Sequence, residues 1–257
     1  MNTSLISPVP DHIHMDPLGG ISGDMFVAAM FDATQSNKKE ITAVLQDLRV
    51  PKGLSIKIER KKDARINGRI FWVEGPLQGP KNFEEILNFI TNSKVSNEVR
   101  DVAIRIFKIL GHAEAKVHGI NIEKVHLHEV GNWDSILDIV LAGYFITKLV
   151  GCSWSSSPIP IGEGFVECHH GTVPLPAPAT AELLRGMHIR HDGRTGERTT
   201  PTGAAILKYL APSQTGTFNN RRLIGFGTGF GSQTFDHFSN ILRIFLYNLD
   251  NNFSSCD

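Results

Sequence analysis

The sequence predicts an α+β fold, in which a mixed sheet packs with helices and one long proline/glycine-rich loop carries function. Segments with helical spacing alternate irregularly with short segments of alternating apolar residues, which does not fit a regular doubly wound sheet. The stretch 155–180 is rich in proline and glycine and leaves little room for regular structure. Loops of this length inside compact domains are usually functional.

The composition is typical of a globular protein with a sizeable core. The 257 residues are 41% hydrophobic and 20% charged, which argues against disorder. The 26 basic residues balance 26 acidic ones, so no positive surplus is left to neutralise nucleic-acid phosphates. Three cysteines without a C-x-x-C pair predict neither a disulfide framework nor a zinc ribbon. Without a predicted signal peptide or membrane span, we expect a cytoplasmic protein with no nucleic-acid or membrane partner.

Apolar periodicity and turn residues predict the elements in order. A strand over 13–16 runs into the Gly19–Gly20 turn, and helical spacing begins after Ser22. Asn67–Gly68 is a strong signal for a two-residue hairpin turn. Thr200–Pro201 is a good helix start, with threonine as the N-cap. The other predicted elements are helices over 38–48, 83–90, 96–118, 135–150 and 179–184, and strands over 125–130, 222–226 and 240–246.

The predicted strand 125–130 carries the first candidate metal ligands. His126 and His128 point to the same face of such a strand because side chains alternate. Two imidazoles on one face suit zinc, nickel, copper or iron. Glu129 lies on the opposite face, so it joins the pair only where the strand ends or bulges.

The turn and helix that follow contain two further carboxylates, one a candidate metal ligand and the other with a structural explanation. Asp134 sits in the turn and is able to swing toward the histidine pair. Ser135 and Asp138 fit the capping-box pattern, which would give Asp138 a purely structural duty.

The segment 15–25 carries a second candidate site. A strand, a glycine turn and a helix start in succession aim backbone N–H groups at one point, which predicts an anion site. Ser22 as N-cap and Asp24 in the first turn also have a structural explanation. Because Asp24 would repel a phosphate, Asp16 and Asp24 suit metal binding or proton transfer at least as well.

A third group of candidates lies at Cys168, His169 and His170. These are soft and borderline ligands for zinc, nickel or copper. A Cys–His nucleophile pair and a buried structural cysteine are the alternatives. The helix start at 200–203 is one more anion candidate, and the charge run 57–65 is interpreted as a solvated face of the hairpin.

Taken together, these segments resemble the LarC family, the nickel insertion proteins of nickel-pincer nucleotide biosynthesis. The matching motifs run in order from about residue 13 to residue 246, which is far more specific than any single motif. We therefore expect a LarC-like N-terminal domain over 13–247, between a flexible extension at 1–12 and a polar tail at 248–257. The matches are Asp16–Pro17 with 20–25, 113–119, 125–131, 134–136, 138–140, 164–166, Cys168, 170–171, 174–180, 200–205, Gly225, Gly227 and Gly229.

The resemblance implies a metallochelatase-type reaction of the lyase class. Family members insert nickel into a pyridinium bisthiocarboxylate mononucleotide, assisted by CTP with manganese or magnesium. For this reaction we assign, as a hypothesis from the residues themselves, the nickel ligands His126, His128, Glu129, Asp134 and His170. The catalytic residues are then Asp16, Asp24 and Cys168, and the substrate-binding residues are Ser22, Gly23, Thr202 and Gly203.

Two departures from the family bear on this expectation. The stretch 74–82, where members often carry a histidine-rich loop, has no histidine, so nickel storage is not expected. Full-length members also continue into a C-terminal domain associated with CTP, whereas this sequence stops at Asp257. A separate chain carrying that domain is therefore an expected partner, and a homo-oligomer stays open. The alternative functions are a non-catalytic nickel-binding module and a metal-dependent phosphoester hydrolase.

Overall fold

The computed structural model describes residues 9–63, 66–80, 82–125, 131–168, 171–215, 221–235 and 237–249. Its described part is built on a six-stranded mixed sheet with helices packed on it, so the predicted α+β class is confirmed. The strands, in chain order, are β1 (His12–Asp16), β2 (Ser55–Asp63), β3 (Ile66–Glu74), β4 (Ser153–Ser156), β5 (Ile159–Pro160), β6 (Phe165–Cys168), β7 (Gly171–Pro174), β8 (Ile189–Arg190), β9 (Arg221–Phe230) and β10 (Ile241–Leu249).

The main sheet has the order β2-β3-β9-β10-β1-β4. The first strand, β1, lies between the last strand, β10, which is antiparallel to it, and β4, which is parallel. The hairpin of β2 and β3 joins the sheet through a short parallel pairing of β3 with β9. Two small ribbons, β5 with β8 and β6 with β7, lie outside this sheet.

The described helices supply most of the core. The first helix, α1 (Gly23–Ala33), packs on β9, where Gly227 and Gly229 leave room for its backbone. A Cβ on Gly229 would lie 2.6 Å from the amide nitrogen of Ala29. Helix α5 is buried on nearly all sides, which explains its apolar composition. The helices are α1 (Gly23–Ala33), α2 (Lys38–Leu48), α3 (Phe83–Thr91), α4 (Asn97–His118), α5 (Trp133–Lys148), α6 (Pro178–Leu183) and α7 (Pro201–Leu210).

Several predicted helix boundaries are confirmed, and capping interactions are found at them. The side chain of Ser96 accepts a hydrogen bond from Val99 at the start of α4, and Gly119 ends that helix in the left-handed region. The side chain of Thr200 accepts one from Gly203 at the start of α7. No helix in the described residues is both long enough and apolar enough to cross a membrane.

The predicted turn at Asn67–Gly68 is wrong. Both residues lie inside β3, paired with Lys62 and Lys61 of β2, and the strands are joined through residues 64–65, which lie outside the described part. A Cβ on Gly68 would lie 2.8 Å from the Cβ of Thr228 and would overlap its carbonyl oxygen. The glycine is therefore explained by the close approach of β9, not by a turn.

Three other predictions need correction or lie outside the described residues. The capping box is wrong, because α5 has Asn132 as its N-cap and Asp138 lies inside the helix. The stretch 155–180 contains β5, β6 and β7 and the start of α6, so it is more regular than expected. Residues 126–130 of the predicted strand, together with 1–8 and 250–257 of the predicted terminal segments, lie outside the described residues.

One edge of the sheet carries a chain of hydrogen bonds between histidine and serine side chains. The ring nitrogens of His12 lie 2.7 Å from Ser153 Oγ and 2.8 Å from Ser155 Oγ. Those of His14 lie 2.9 Å from Ser155 Oγ and 3.1 Å from Ser157 Oγ. These bonds tie β1 to β4 and to the residues that follow β4. Burial, helped by the nearby charge of Arg221, lowers the pKa of His12 from 6.5 to about 4.

We expect His12 to make the fold sensitive to acid. Because its pKa is lower in the folded than in the unfolded chain, the unfolded state takes up the extra proton as the pH falls from 6.5 to about 4. Stability should drop across this window by about 1–3 kcal/mol and level off below it. Urea unfolding at stepped pH should therefore show a larger drop for the wild type than for His12→Asn. Parallel curves for the two proteins would contradict this assignment.

Candidate functional site

A cavity of about 950 Å³ opens where helices α1, α5 and α7 begin. Residues of β3, the end of α4 and the β6–β7 ribbon complete its walls. The volume is within the range of pockets that bind cofactors and nucleotide-sized ligands. Ser22, Asp24 and Thr202, three of the residues predicted for a site, line it together.

The starts of α1 and α7 are joined directly. The amide of Gly23 donates a 3.2 Å hydrogen bond to Thr202 Oγ1, which lies 3.0 Å from Thr200 Oγ1. A Cβ on Gly203 would overlap the carbonyl oxygen of Ile21. The glycine in T-P-T-G therefore allows the two helix starts to touch, and this brings hydroxyl groups from distant parts of the sequence to one wall.

Asp24 is the carboxyl group that α1 contributes. Ser22 occupies the N-cap position of α1 but makes no capping hydrogen bond, and its hydroxyl instead donates to the Asp24 carboxylate. Burial raises the pKa of Asp24 above its ordinary value, and the hydrogen bond from Ser22 opposes that rise.

Helix α5 contributes two carboxyl groups on one face, because Asp134 and Asp138 are four residues apart. Asp134 Oδ1 accepts a 2.9 Å hydrogen bond from the amide of Ser135. Asp138 is only 8% exposed, and its Oδ1 has no hydrogen-bond partner among the described residues. A Cβ on Gly23 would lie 2.5 Å from Asp138 Oδ2, so the glycine makes room for this carboxyl group.

The three carboxyl groups influence one another. Burial raises the pKa of Asp138 well above its ordinary value, and the neighbouring charges of Asp24 and Asp134 raise it further. Burial likewise raises the pKa of Asp134. Carboxyl groups that are costly to ionise together favour a bound cation or a shared proton.

Acidic side chains outnumber basic ones among the described residues that line the cavity. Glu114, Glu167 and Glu197 line it in addition to the three aspartates, and Glu114 lies 3.6 Å from His118. Lys61 is the one lysine or arginine among the described lining residues. In a chain whose formal charge is zero, this concentration of carboxyl groups marks a cavity that attracts cations.

A buried arginine holds the glycine turn that leads into α1. Arg198 donates to the carbonyl oxygens of Gly19 and, at 3.0 Å, Leu18. It also donates to both carboxylate oxygens of Asp192, at 2.9 and 3.1 Å. A Cβ on Gly20 would overlap the carbonyl oxygen of Arg198. In the turn predicted as an anion site, the amides of Gly19 and Ile21 already donate to backbone carbonyl oxygens, so they are not directed at an anion.

The described structure brings together many, but not all, of the predicted site residues. Ser22, Asp24, Asp134, Cys168 and Thr202 line the cavity, with Gly23 and Gly203 in the adjacent backbone. The Cys168 thiol lies 3.1 Å from the carbonyl oxygen of Gly171. Asp16 does not line the cavity, because Arg243 binds its carboxylate on β10, with Nε at 3.0 Å. The predicted ligands His126, His128, Glu129 and His170 lie outside the described residues.

Several residues of the site were not found from the sequence, among them Asp138, Lys61 and Arg198. The four-residue spacing of Asp134 and Asp138 was visible and would have placed Asp138 beside Asp134 on a helix face. Nothing in the local sequence distinguishes Lys61 from its charged neighbours, and nothing distinguishes Arg198 from other arginines.

Within the described ranges, no three histidine, cysteine, aspartate or glutamate side chains are grouped closely enough to hold a metal ion.

Comparison with known proteins finds similarity along nearly the whole chain. The profile of the family described as nickel insertion protein matches residues 13–255. A protein of Geotalea uraniireducens named as a nickel insertion protein is 40% identical over 236 residues, which are 90% of this chain and 60% of the relative. One of Methanocaldococcus jannaschii is 40% identical over 205 residues, 77% of this chain and 52% of that protein.

One relative has a more specific name. The pyridinium-3,5-bisthiocarboxylic acid mononucleotide nickel insertion protein of Geobacillus kaustophilus is 37% identical over 247 residues, 90% of this chain and 58% of the relative. The chain thus spans at most about three fifths of the length of these relatives. No solved structure matches it.

Proposed function

Since this chain belongs to the nickel insertion protein family, we propose that it binds nickel and inserts it into a pyridinium bisthiocarboxylate mononucleotide. The reaction is of the metallochelatase type, in the lyase class, and takes place in the cytoplasm. Nickel is a substrate in this scheme, so the protein must bind the ion and then release it to the sulfur donors of the nucleotide.

The observation that supports this proposal most is the group of carboxyl residues Asp24, Asp134 and Asp138 at the acidic cavity, with Asp138 Oδ1 lacking a partner among the described residues. Carboxylate oxygens bind nickel, and imidazoles complete a borderline donor set. We assign Asp24 and Asp134 as nickel ligands together with His126 and His128. Glu129 and His170 are assigned as further ligands. Asp16 is left out, because Arg243 already neutralises its charge.

The remaining predicted residues are assigned to the nucleotide. The hydroxyl groups of Ser22 and Thr202 bind it, with Gly23 and Gly203 leaving room for its approach. Cys168 lies at the ribbon wall, where a thiolate is suited to exchange nickel with a thiocarboxylate. Manganese or magnesium with CTP belongs to the reaction of the whole protein, and carboxylate oxygens are the donors such ions prefer.

Nickel titration by calorimetry tests the proposal. We expect saturable binding by the wild type, and an affinity about tenfold or more lower for Asp24→Asn/Asp134→Asn, because two anionic donors become neutral. His126→Ala/His128→Ala should lose the binding. The control is Asp101→Asn, the same chemical change on the exposed side of α4, and it should bind as the wild type does. Equal binding by all four proteins would place the nickel elsewhere.

A second candidate function is a nickel-binding module that needs a separate CTP-binding chain. Mixing the nickel-loaded protein with the thiocarboxylate nucleotide and CTP distinguishes the two. Transfer of nickel by this chain alone supports insertion, whereas transfer only after the C-terminal part of a relative is added supports the module. Release of phosphate from a nucleotide ester would instead indicate the hydrolase.

A further inference from the structure

A second cavity, of about 430 Å³, adjoins the acidic one and differs from it in charge. It lies between the end of the β2–β3 hairpin and the segment 230–240, and Lys61 lines both cavities. Lys62 and His237 also line the second cavity, and Asp63 is the one residue with a carboxylate among its described lining residues. Asp63 Oδ2 accepts a 2.7 Å hydrogen bond from Ser239, so part of its acceptor capacity is already used.

Lys61 is oriented inward at the junction of the two cavities. Its Nζ lies 3.4 Å from the carbonyl oxygen of Gly231 and 5.4 Å from the centre of the Phe230 ring. Among the described residues it makes no ion pair with a carboxylate, unlike Lys57 on the same strand, which lies 3.6 Å from Glu74. An ammonium group held by a neutral carbonyl and a ring retains its full charge for a ligand.

The wall opposite the hairpin carries two aromatic rings. Phe235 and Phe238 line the second cavity, and an arginine lies over each ring. The guanidinium of Arg194 lies 4.0 Å from the ring centre of Phe238, and that of Arg198 lies 4.8 Å from Phe235. Each of the two rings therefore contacts a guanidinium group.

We propose that this second cavity binds the phosphate group of the mononucleotide, with Lys61 at the junction, while the acidic cavity holds nickel and the pyridinium ring, whose anionic thiocarboxylate arms face the nickel. This assignment rests on the proposed function and adds the place of the phosphate to it. A phosphate at the starts of α1 and α7 would face Asp24, Asp134 and Asp138, and their repulsion opposes it. A phosphate beside Lys61 is attracted instead, and the ring next to it then enters the acidic cavity.

Calorimetry with nicotinate mononucleotide, a stable pyridinium mononucleotide, and with its nucleoside, nicotinate riboside, tests this assignment. We expect the wild type to bind the mononucleotide about tenfold or more tightly than the nucleoside, since one charge-assisted contact is worth at least that factor. Lys61→Met should lose this difference and bind the nucleoside unchanged. Lys57→Met, the matched control outside both cavities, should behave as the wild type does.

Three results would overturn the assignment. The first is equal affinity of the wild type for the mononucleotide and the nucleoside. The second is an equal loss of mononucleotide affinity in Lys61→Met and Lys57→Met. The third is inorganic phosphate that binds as tightly as the mononucleotide, which would indicate a site for free phosphate. The first comparison uses only the wild type, so it stands even where a variant fails to fold. Nickel titration of the same proteins separates the two proposals, because removing the positive charge of Lys61 is not expected to weaken the binding of a cation.

Discussion

Replacing Arg198 with alanine is expected to lower the free energy of unfolding by about 3–5 kcal/mol, the cost of breaking a buried ion pair by removing one partner. The Arg198 side chain is fully buried, and the side chain of Asp192, with which it pairs, is only 12% exposed. The variant would leave the Asp192 carboxylate without its main counter-charge, and the carbonyl groups of Leu18 and Gly19 without their donors. Urea unfolding followed by circular dichroism measures this loss.

The matched control is Arg194→Ala. Arg194 donates to the same Asp192 at 3.2 Å, but its side chain is 39% exposed, so solvent screens and replaces the interaction. We expect it to cost about 1 kcal/mol or less. Arg198→Lys should fall between the two, because a lysine keeps the charge but cannot reach Leu18, Gly19 and Asp192 at once. Similar losses of stability for Arg194→Ala and Arg198→Ala would show that the hydrogen bonds from Arg198 to Leu18 and Gly19 are not important.

Replacing Gly20 with alanine is expected to cost about 3 kcal/mol or more, because backbone strain and steric overlap add. Gly20 has φ = +138°, a conformation that residues with a Cβ rarely adopt. The added Cβ would also overlap the carbonyl oxygen of Arg198, which is fixed because it accepts a 3.0 Å hydrogen bond from Ile21. Relieving this overlap would displace the chain that leads to Ser22 and Asp24. We therefore expect the affinity for nickel to fall together with the stability.

Gly151→Ala separates the two contributions. Gly151 has φ = +92°, and among the described residues no atom lies within 4 Å of an added Cβ, so only the backbone strain remains. We expect a loss of about 1–2 kcal/mol, measured by the same urea titration. A loss for Gly151→Ala as large as that for Gly20→Ala would mean that the overlap with Arg198 is relieved by a small shift of the chain.

Much of the fold could be predicted because its signals are local. The spacing of apolar residues gives α2 its observed bounds, and Ser96, Gly119 and Thr200 mark helix ends through their own capping interactions. Part of the site followed from the same reasoning. Ser22, Asp24 and Thr202 were identified as residues of helix starts, and the structure brings these starts to one cavity.

What could not be predicted depends on contacts between distant segments. Asn67–Gly68 has the composition of a turn, but the glycine is required by the approach of Thr228, 160 positions along the chain. Asp16 matches a family motif, yet its partner Arg243 lies on the last described strand. Lys61 lies in a run of charged residues, and only the packing of the hairpin against segment 230–240 turns it toward a cavity.

The position of β1 in the sheet has a consequence for how the protein is made. The ion pair of Asp16 with Arg243 spans 227 positions, so the first described strand emerges from the ribosome long before its antiparallel partner exists. During most of translation its apolar face, with Ile13 and Met15, is without that neighbour and depends on chaperones or transient contacts for protection. Because closing such a long loop slows folding, we expect β1 and β10 to pair late in folding.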